Sequence, residues 1–63
     1  MPDKILTALA RERIKEWSQL TAFAARAHVS PNTVARWMAD LSMQRKALTK
    51  VEAAFRRELE QQP

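Results

Sequence analysis

Two polar side chains in the middle of the chain, Asn32 and Arg36, have the types and the spacing to read nucleic-acid bases. They are four residues apart, so in a helix they lie one turn apart on the same face. In the major groove, a guanidinium can donate two hydrogen bonds to guanine, and a carboxamide can pair with the edge of adenine. A helix with this pair could recognise DNA sequence, although the same pair also suits an ordinary solvated face.

The charge distribution favours a polyanionic partner. Eleven Lys and Arg against seven Asp and Glu give a formal net charge of +4 and a pI near 10.4. Between Glu16 and Asp40 the chain has no acidic residue. Basic side chains that neutralise phosphates release counterions, which is a general source of affinity for nucleic acids. A further basic group of Arg45, Lys46 and Lys50 either clamps phosphates or serves only solubility.

The residue inventory argues against catalysis and metal binding. The chain has no Cys and a single His, so it forms no disulfide and lacks the ligands of a structural zinc site. It has no Gly, hence no glycine-rich phosphate loop, and no two acidic residues are placed to converge in a pocket. We expect no enzymatic activity, no cofactor, no metal and no small-molecule substrate.

The pattern of apolar residues predicts an all-α domain of four or five helices, spanning residues 1–63 as a single unit. Hydrophobic residues make up 46% of the chain, and no segment alternates as a strand would. The first helix is expected from an N-cap at Asp3 to about Glu16, with Trp17 closing it. Its apolar side consists of Ile5, Leu6, Leu9, Ala10 and Ile14.

Three more helices follow at short intervals. The second is expected over about 20–27, with Leu20, Phe23, Ala24 and Ala27 on its apolar side. Ser30 and Pro31 form a strong start signal, an N-cap followed by Pro at the first helical position, for a third helix that reaches Asp40 or Leu41. The last helix ends near Gln61, and either Ser42 or Thr49 caps its start.

The third helix has two distinct faces on a helical wheel. With Val34 as reference, Trp37, Met38 and Leu41 lie within about 60° and form the predicted buried face. Asn32 and Arg36 lie about 160° and 200° away, flanked by small residues. In the last helix, Leu48, Val51, Phe55 and Leu59 share one side. Glu52 and Arg56, four residues apart, are predicted to form a weak surface pair.

Residues 20–39, LTAFAARAHVSPNTVARWMA, resemble the helix-turn-helix of phage-repressor and Cro-type proteins and of Lac-repressor-type headpieces. The residues that carry the resemblance are Ala24, Val29, Val34 and Trp37, with the run from Val29 to Arg36 around the turn. These families usually have Gly where this chain has His28, because the backbone there takes a positive φ. His is one of the other residues enriched in that conformation, so we expect the turn to form.

The resemblance implies which side chains touch DNA. Base edges are contacted by Pro31, Asn32 and Arg36, and phosphates by Gln19, Thr21, Ser30 and Thr33. Charge adds Arg45, Lys46 and Lys50 to the predicted phosphate contacts.

These observations predict a sequence-specific double-stranded DNA-binding domain, acting as a dimeric transcriptional repressor or regulator of phage or plasmid type. A recombination accessory factor or terminase-type DNA adaptor is one alternative. A protein-interaction module that docks a protein partner through the last helix is another. Leu59, Phe55 and the first helix are candidates for the dimer surface. No signal peptide or membrane span is recognisable, so we expect a cytoplasmic location, on the nucleoid of a bacterium or phage-infected host cell.

Overall fold

The computed structural model describes residues 1–61 and is all-helical, as predicted. Its elements are α1 Lys4–Arg13, α2 Trp17–Ala27, α3 Pro31–Met38 and α4 Arg45–Gln61. α3 contacts each of the other three helices, and so does α4. The helix predicted to read DNA is therefore fixed from several sides by the rest of the fold.

The first helix begins where predicted and ends earlier. Asp3 is its N-cap, and its carboxylate accepts hydrogen bonds from the first backbone N–H groups of the helix. The helix ends at Arg13, short of Glu16, because Ile14 takes an extended conformation. Trp17 opens α2 instead of closing α1, and its side chain is 62% exposed. The predicted boundary between the two helices is therefore wrong.

A local capping interaction explains why α2 starts one turn before the predicted Leu20. The side-chain oxygen of Gln19 accepts from the backbone N–H groups of Lys15, at 2.8 Å, and Glu16, at 3.0 Å. A side chain at the third helical position that returns to the N-cap is one half of a capping box. The apolar spacing of α2 identifies only its inner residues, and Leu20, Phe23, Ala24 and Ala27 are buried as predicted.

The α2–α3 turn closes without glycine. His28 has φ 59°, the left-handed conformation expected at this position. Its N–H and that of Val29 donate to carbonyls in the last turn of α2, which is the Schellman arrangement. Ser30 then caps α3, and Pro31 occupies its first turn. Each of these predictions is confirmed.

Replacing His28 by glycine is expected to raise the free energy of unfolding by up to about 1 kcal/mol. The left-handed region costs an L-residue about 1–2 kcal/mol, and the greater flexibility of glycine in the unfolded chain offsets part of the gain. Urea denaturation followed by circular dichroism measures the change. His28→Ala is the control and should be no more stable than the parent. A loss of stability in His28→Gly would show that imidazole contacts outweigh the backbone strain.

The end of α3 repeats the same arrangement with an aspartate. Asp40 has φ 61°, its N–H donates to the carbonyl of Trp37, and the N–H of Leu41 donates to that of Arg36. α3 consequently ends at Met38, earlier than predicted. The turn directs Leu41 away from the core, where it is 47% exposed. Its predicted place on the buried face of the third helix is wrong.

The carboxylate of Asp40 joins α1 to the end of α3. Thr7 Oγ1 donates to Oδ1 at 2.6 Å, and Arg11 Nη1 donates to Oδ2 at 3.2 Å. The hydrogen bond from Thr7, followed by the contact with Arg11, lowers the pKa of Asp40 below its ordinary value. Thr7 is fully buried, so a threonine lies on the inner side of α1. Ile5, which is predicted to lie on that side, is 74% exposed, so its prediction is wrong.

The Asp40 contacts predict a stability that falls in acid. A carboxyl group whose folded pKa lies below its unfolded value, about 3.9, contributes stability above that value and loses it as the pH falls through the folded pKa. Asp40→Asn removes the charge and keeps a residue that tolerates the left-handed turn. We expect the parent to have a higher melting temperature than Asp40→Asn at about pH 6, and the difference between the two to shrink as the pH falls to about 2.5. A difference in melting temperature that does not depend on pH would contradict this role of the carboxylate.

Three aromatic rings form the centre of the core. The ring centroids of Phe23 and Trp37 are 6.4 Å apart, those of Phe23 and Phe55 5.9 Å, and those of Trp37 and Phe55 5.5 Å. Val34 and Val51 pack with them and are fully buried. Because Phe55 is only 3% exposed, its prediction as part of a dimer surface is wrong.

Glu52 is a buried acid that the sequence places on the surface. Its Oε2 accepts from Trp37 Nε1 at 3.1 Å and from the backbone N–H of Asp3 at 2.7 Å. These bonds tie α4 to α3 and to the start of α1. Arg56, the predicted partner of Glu52, lies instead 3.6 Å from Asp3 Oδ2, so the predicted surface pair is wrong.

The last helix begins at Arg45, so neither Ser42 nor Thr49 is its N-cap, and that prediction is wrong. The N–H of Leu48 already donates to the carbonyl of Gln44, at 2.9 Å. α4 is therefore about one turn longer than a start at Thr49 would give, and this additional turn carries two of its basic side chains.

Candidate nucleic-acid interface

α3 has one buried and one exposed face, as its sequence predicts. Val34 and Trp37 are fully buried, whereas Asn32 and Arg36 on the opposite side are exposed. Their neighbour Ala39 is also exposed and adds little bulk. The exposed face therefore presents an amide and a guanidinium to a partner that can approach closely.

Local hydrogen bonds fix the first turn of this helix. Ser30 Oγ accepts from the N–H of Thr33 at 3.2 Å, and the two hydroxyl oxygens are 2.8 Å apart. Pro31 is half-buried in the same turn. The structure thus places all three in the first turn of α3 and its cap, and the phosphate contacts of Ser30 and Thr33 and the base contact of Pro31 stay predictions.

The guanidinium of Arg36 is anchored to the α3–α4 connection. Its Nη2 donates to the carbonyl oxygen of Ser42 at 3.1 Å. A guanidinium has five N–H donors, so this bond leaves enough of them for a bidentate contact with guanine. The anchored side chain borders a shallow depression lined by Thr33, Arg36, Ser42, Met43, Gln44 and Ala47.

The two candidate phosphate ligands on α2 already make local bonds. The oxygen of Gln19 caps the helix, and Thr21 Oγ1 donates to the carbonyl of Ser18 at 3.0 Å. Gln19 keeps its amide N–H donors, but the exposed carboxylate of Glu16 lies at the start of the same helix. This end of α2 is less suited to a polyanion than the resemblance implies, and both contacts stay predictions.

Arg45, Lys46 and Lys50 do not form one cluster. Lys46 and Lys50 are one turn apart on the same side of α4, whereas Arg45 lies about 100° from Lys46. Lys50 lines a depression beside His28, and Arg45 lines a different one beside the N-terminal residue Met1. By this placement, Lys46 and Lys50 lie on the side of α4 that faces the α2–α3 turn, and Arg45 does not.

Ion pairing leaves several cations near α3 uncompensated. In the described part of the chain, ion pairs join Arg11 to Asp40, Arg26 to Glu58 and Arg56 to Asp3. Within the same residues, neither Arg36, Lys46 nor Lys50 has a carboxylate within 4 Å. The unpaired charges are therefore available to an anionic partner.

Arg57 is a further exposed cation that the sequence analysis does not name. It lines the same depression as His28 and Lys50. Seven residues separate it from Lys50, which is two helical turns on the same face. That spacing is the signal in the sequence that identifies it.

No group of three or more potential metal ligands occurs among residues 1–61. Over the same residues, no helix combines the length and the apolar character needed to cross a bilayer. Comparisons with models of known protein families, with curated proteins and with solved structures gave no match.

Proposed function

We propose that this protein binds double-stranded DNA by placing α3 in the major groove. The observation that carries the proposal is the exposure of Asn32 and Arg36 together on a helix whose opposite face, Val34 and Trp37, is buried in the core. An α-helix with its side chains is about 10–12 Å across, and the major groove is about 12 Å wide. The helix can therefore enter the groove without rearrangement of the fold.

The two exposed side chains supply complementary base contacts. Arg36 donates to the O6 and N7 atoms of guanine, and Asn32 pairs with the N6 and N7 atoms of adenine. Because α3 is held by the other three helices, and Arg36 by Ser42, little conformational freedom is lost on binding. The exposed face of α3 with Asn32 and Arg36 is called the reading face below. Lys46 and Lys50 lie beside it and contribute contacts to phosphates, which position the protein without reading sequence.

The proposed biological role is sequence-specific regulation of transcription, as a repressor. One short helix contacts few base pairs, so a dimer on an inverted repeat supplies the required affinity and specificity. The half-sites are then about 34 Å apart, one turn of the duplex. Of the candidate dimer surfaces, α1, with exposed Ile5, and half-buried Leu59 stay compatible with this arrangement.

One observation favours a second candidate, a recombination accessory or terminase-type DNA adaptor. Within residues 1–61, exposed cations without an ion pair are not confined to α3 but continue onto α4 at Lys50 and Arg57. Contacts of this kind bind any duplex, which suits an architectural role.

Selection of binding sites from a random duplex pool tests the proposal and separates the candidates. We expect enrichment of an inverted repeat whose half-site centres are about 10 base pairs apart. Tight binding without any enriched sequence would support the architectural role instead. No binding to any duplex at about 100 mM salt, where non-specific binders retain measurable affinity, would contradict DNA binding altogether.

A further inference from the structure

α4 carries a stripe of basic side chains that extends away from the reading face. Lys46, Lys50 and Arg57 are all exposed. Their spacing places them within about 40° of one another on the helical wheel and over about 16 Å along the axis. Glu60 lies close to Arg57 at the far end and marks the limit of the stripe.

A shallow depression lies between this stripe and the α2–α3 turn. His28, Lys50 and Arg57 line it together with Arg26, Thr49 and three alanines, of which Ala27 and Ala54 are buried. The alanines leave room for a bulky group to approach the three basic residues. The depression is open to solvent, so it suits an extended chain that passes over it.

The local charge of the depression is positive. The neighbouring carboxylate, Glu58, is fully engaged by Arg26, with Nε–Oε2 at 2.7 Å and Nη2–Oε1 at 2.9 Å. Over residues 1–61, neither Lys50 nor Arg57 has a carboxylate within 4 Å. Two cations therefore face the depression without a carboxylate of residues 1–61 within 4 Å.

The stripe is also continuous with the reading face. Ala47, which lies about 60° from Lys50 around the helix, lines the depression that contains Arg36. His28, next to Lys50, lies two residues before the cap of α3. A DNA strand that borders the groove at Arg36 can thus continue past Lys46 and Lys50 towards Arg57.

We infer that one DNA backbone runs along α4 and that Lys50 and Arg57 hold its phosphodiester groups beside His28. This inference rests on the proposed DNA binding and extends it: α3 reads the sequence, and α4 supplies sequence-independent affinity that fixes the orientation of α3. A guanidinium binds phosphate with two parallel hydrogen bonds, whereas an ammonium acts as a point charge. Arg57 is therefore the stronger of the two phosphate ligands.

The salt dependence of duplex binding tests the inference. Fluorescence anisotropy from about 50 to 200 mM salt, the range over which phosphate contacts lose affinity steeply, gives the slope of log K against log salt. Each of Arg57→Gln and Lys50→Gln should reduce the magnitude of that slope by about 0.9 for each bound protomer, with an equal loss of affinity per protomer on the selected duplex and on an unrelated one. Arg56→Gln is the matched control. It makes the same charge change one residue away, on the side of α4 where Arg56 pairs with Asp3, and should leave the slope unchanged.

The outcomes separate this inference from the proposal beneath it. Unchanged slopes in both Arg57→Gln and Lys50→Gln, in proteins that melt normally and still prefer the selected sequence, would overturn the path along α4 and leave DNA reading by α3 intact. An equal reduction in Arg56→Gln would also overturn it, because net charge and not position would then be responsible. Absence of duplex binding by the parent protein would overturn the proposed function itself.

Discussion

Truncation of Phe23 to alanine is expected to destabilise the fold by about 3–5 kcal/mol, the range for deletion of a buried aromatic side chain. Phe23 lies on α2, is 1% exposed and contacts the rings of both Trp37 and Phe55. A chain of this length has a total stability of about 3–9 kcal/mol. The substitution therefore removes at least about a third of the total stability. Urea denaturation of the parent and the variant, followed by circular dichroism, measures the loss.

Phe23→Leu is the matched control for this prediction, since it keeps an apolar side chain of similar reach. It should lose clearly less than the alanine variant, because hydrophobic replacements that conserve most of the volume are tolerated best. Equal losses in the two variants would show that the aromatic contacts, and not the filled volume, are responsible. A loss below about 1 kcal/mol in Phe23→Ala would contradict a core centred on the three rings.

The second large effect is expected in DNA binding. Arg36→Ala should reduce affinity for the selected site by about 1–3 kcal/mol, roughly 5- to 150-fold, and relax the preference at one base pair. Affinity for an unrelated duplex should fall much less, because there Arg36 contributes only the attraction of its positive charge to phosphates. Anisotropy titrations on the selected duplex, on its single-base variants and on the unrelated duplex give these differences.

Arg56→Ala is the control for charge and exposure in that experiment. It removes a guanidinium that is also exposed, from α4, where Arg56 pairs with Asp3. The control should keep the sequence preference of the parent. If Arg36→Ala loses affinity equally on every sequence, Arg36 contacts phosphate and does not read a base.

Much of the fold follows from local signals in the sequence. Asp3 and Ser30 act as N-caps, Pro31 occupies the first turn of α3, and the backbone of His28 takes the left-handed conformation. Each of these signals involves a few adjacent residues, so a single sequence suffices to identify it. The two faces of α3 are also predictable, because helical periodicity alone separates Val34 from Arg36.

Two of the predictions that are wrong involve partners that are distant in sequence. Asp40 forms the turn that ends α3, and its carboxylate accepts a hydrogen bond from Thr7, 33 residues away in the sequence. Glu52 is buried because it accepts hydrogen bonds from Trp37 and from the start of the chain. An Asp or Glu in a helical segment usually lies on the protein surface. The contacts of Asp40 and Glu52 therefore cannot be predicted from the sequence alone, because they depend on how the helices pack.

The candidate interface also has one part that the sequence predicts and one that depends on how the helices pack. The sequence identifies Asn32 and Arg36 as a pair, since they lie on one helix. It does not separate Arg45 from Lys46, because that distinction depends on where α4 starts and on which side faces the α2–α3 turn. The depression that joins His28 to Arg57 likewise exists only after α2 and α4 have packed together.

The most direct test of DNA binding by α3 is a ¹H–¹⁵N NMR titration of the full chain with the selected duplex. The largest shift changes are predicted at the backbone N–H groups of Ser30, Asn32 and Arg36 and at the side-chain amide of Asn32. Residues around the ion pair of Asp3 and Arg56 should change little. Saturable changes confined to the residues around that ion pair, with α3 unaffected, would contradict the placement of α3 in the major groove.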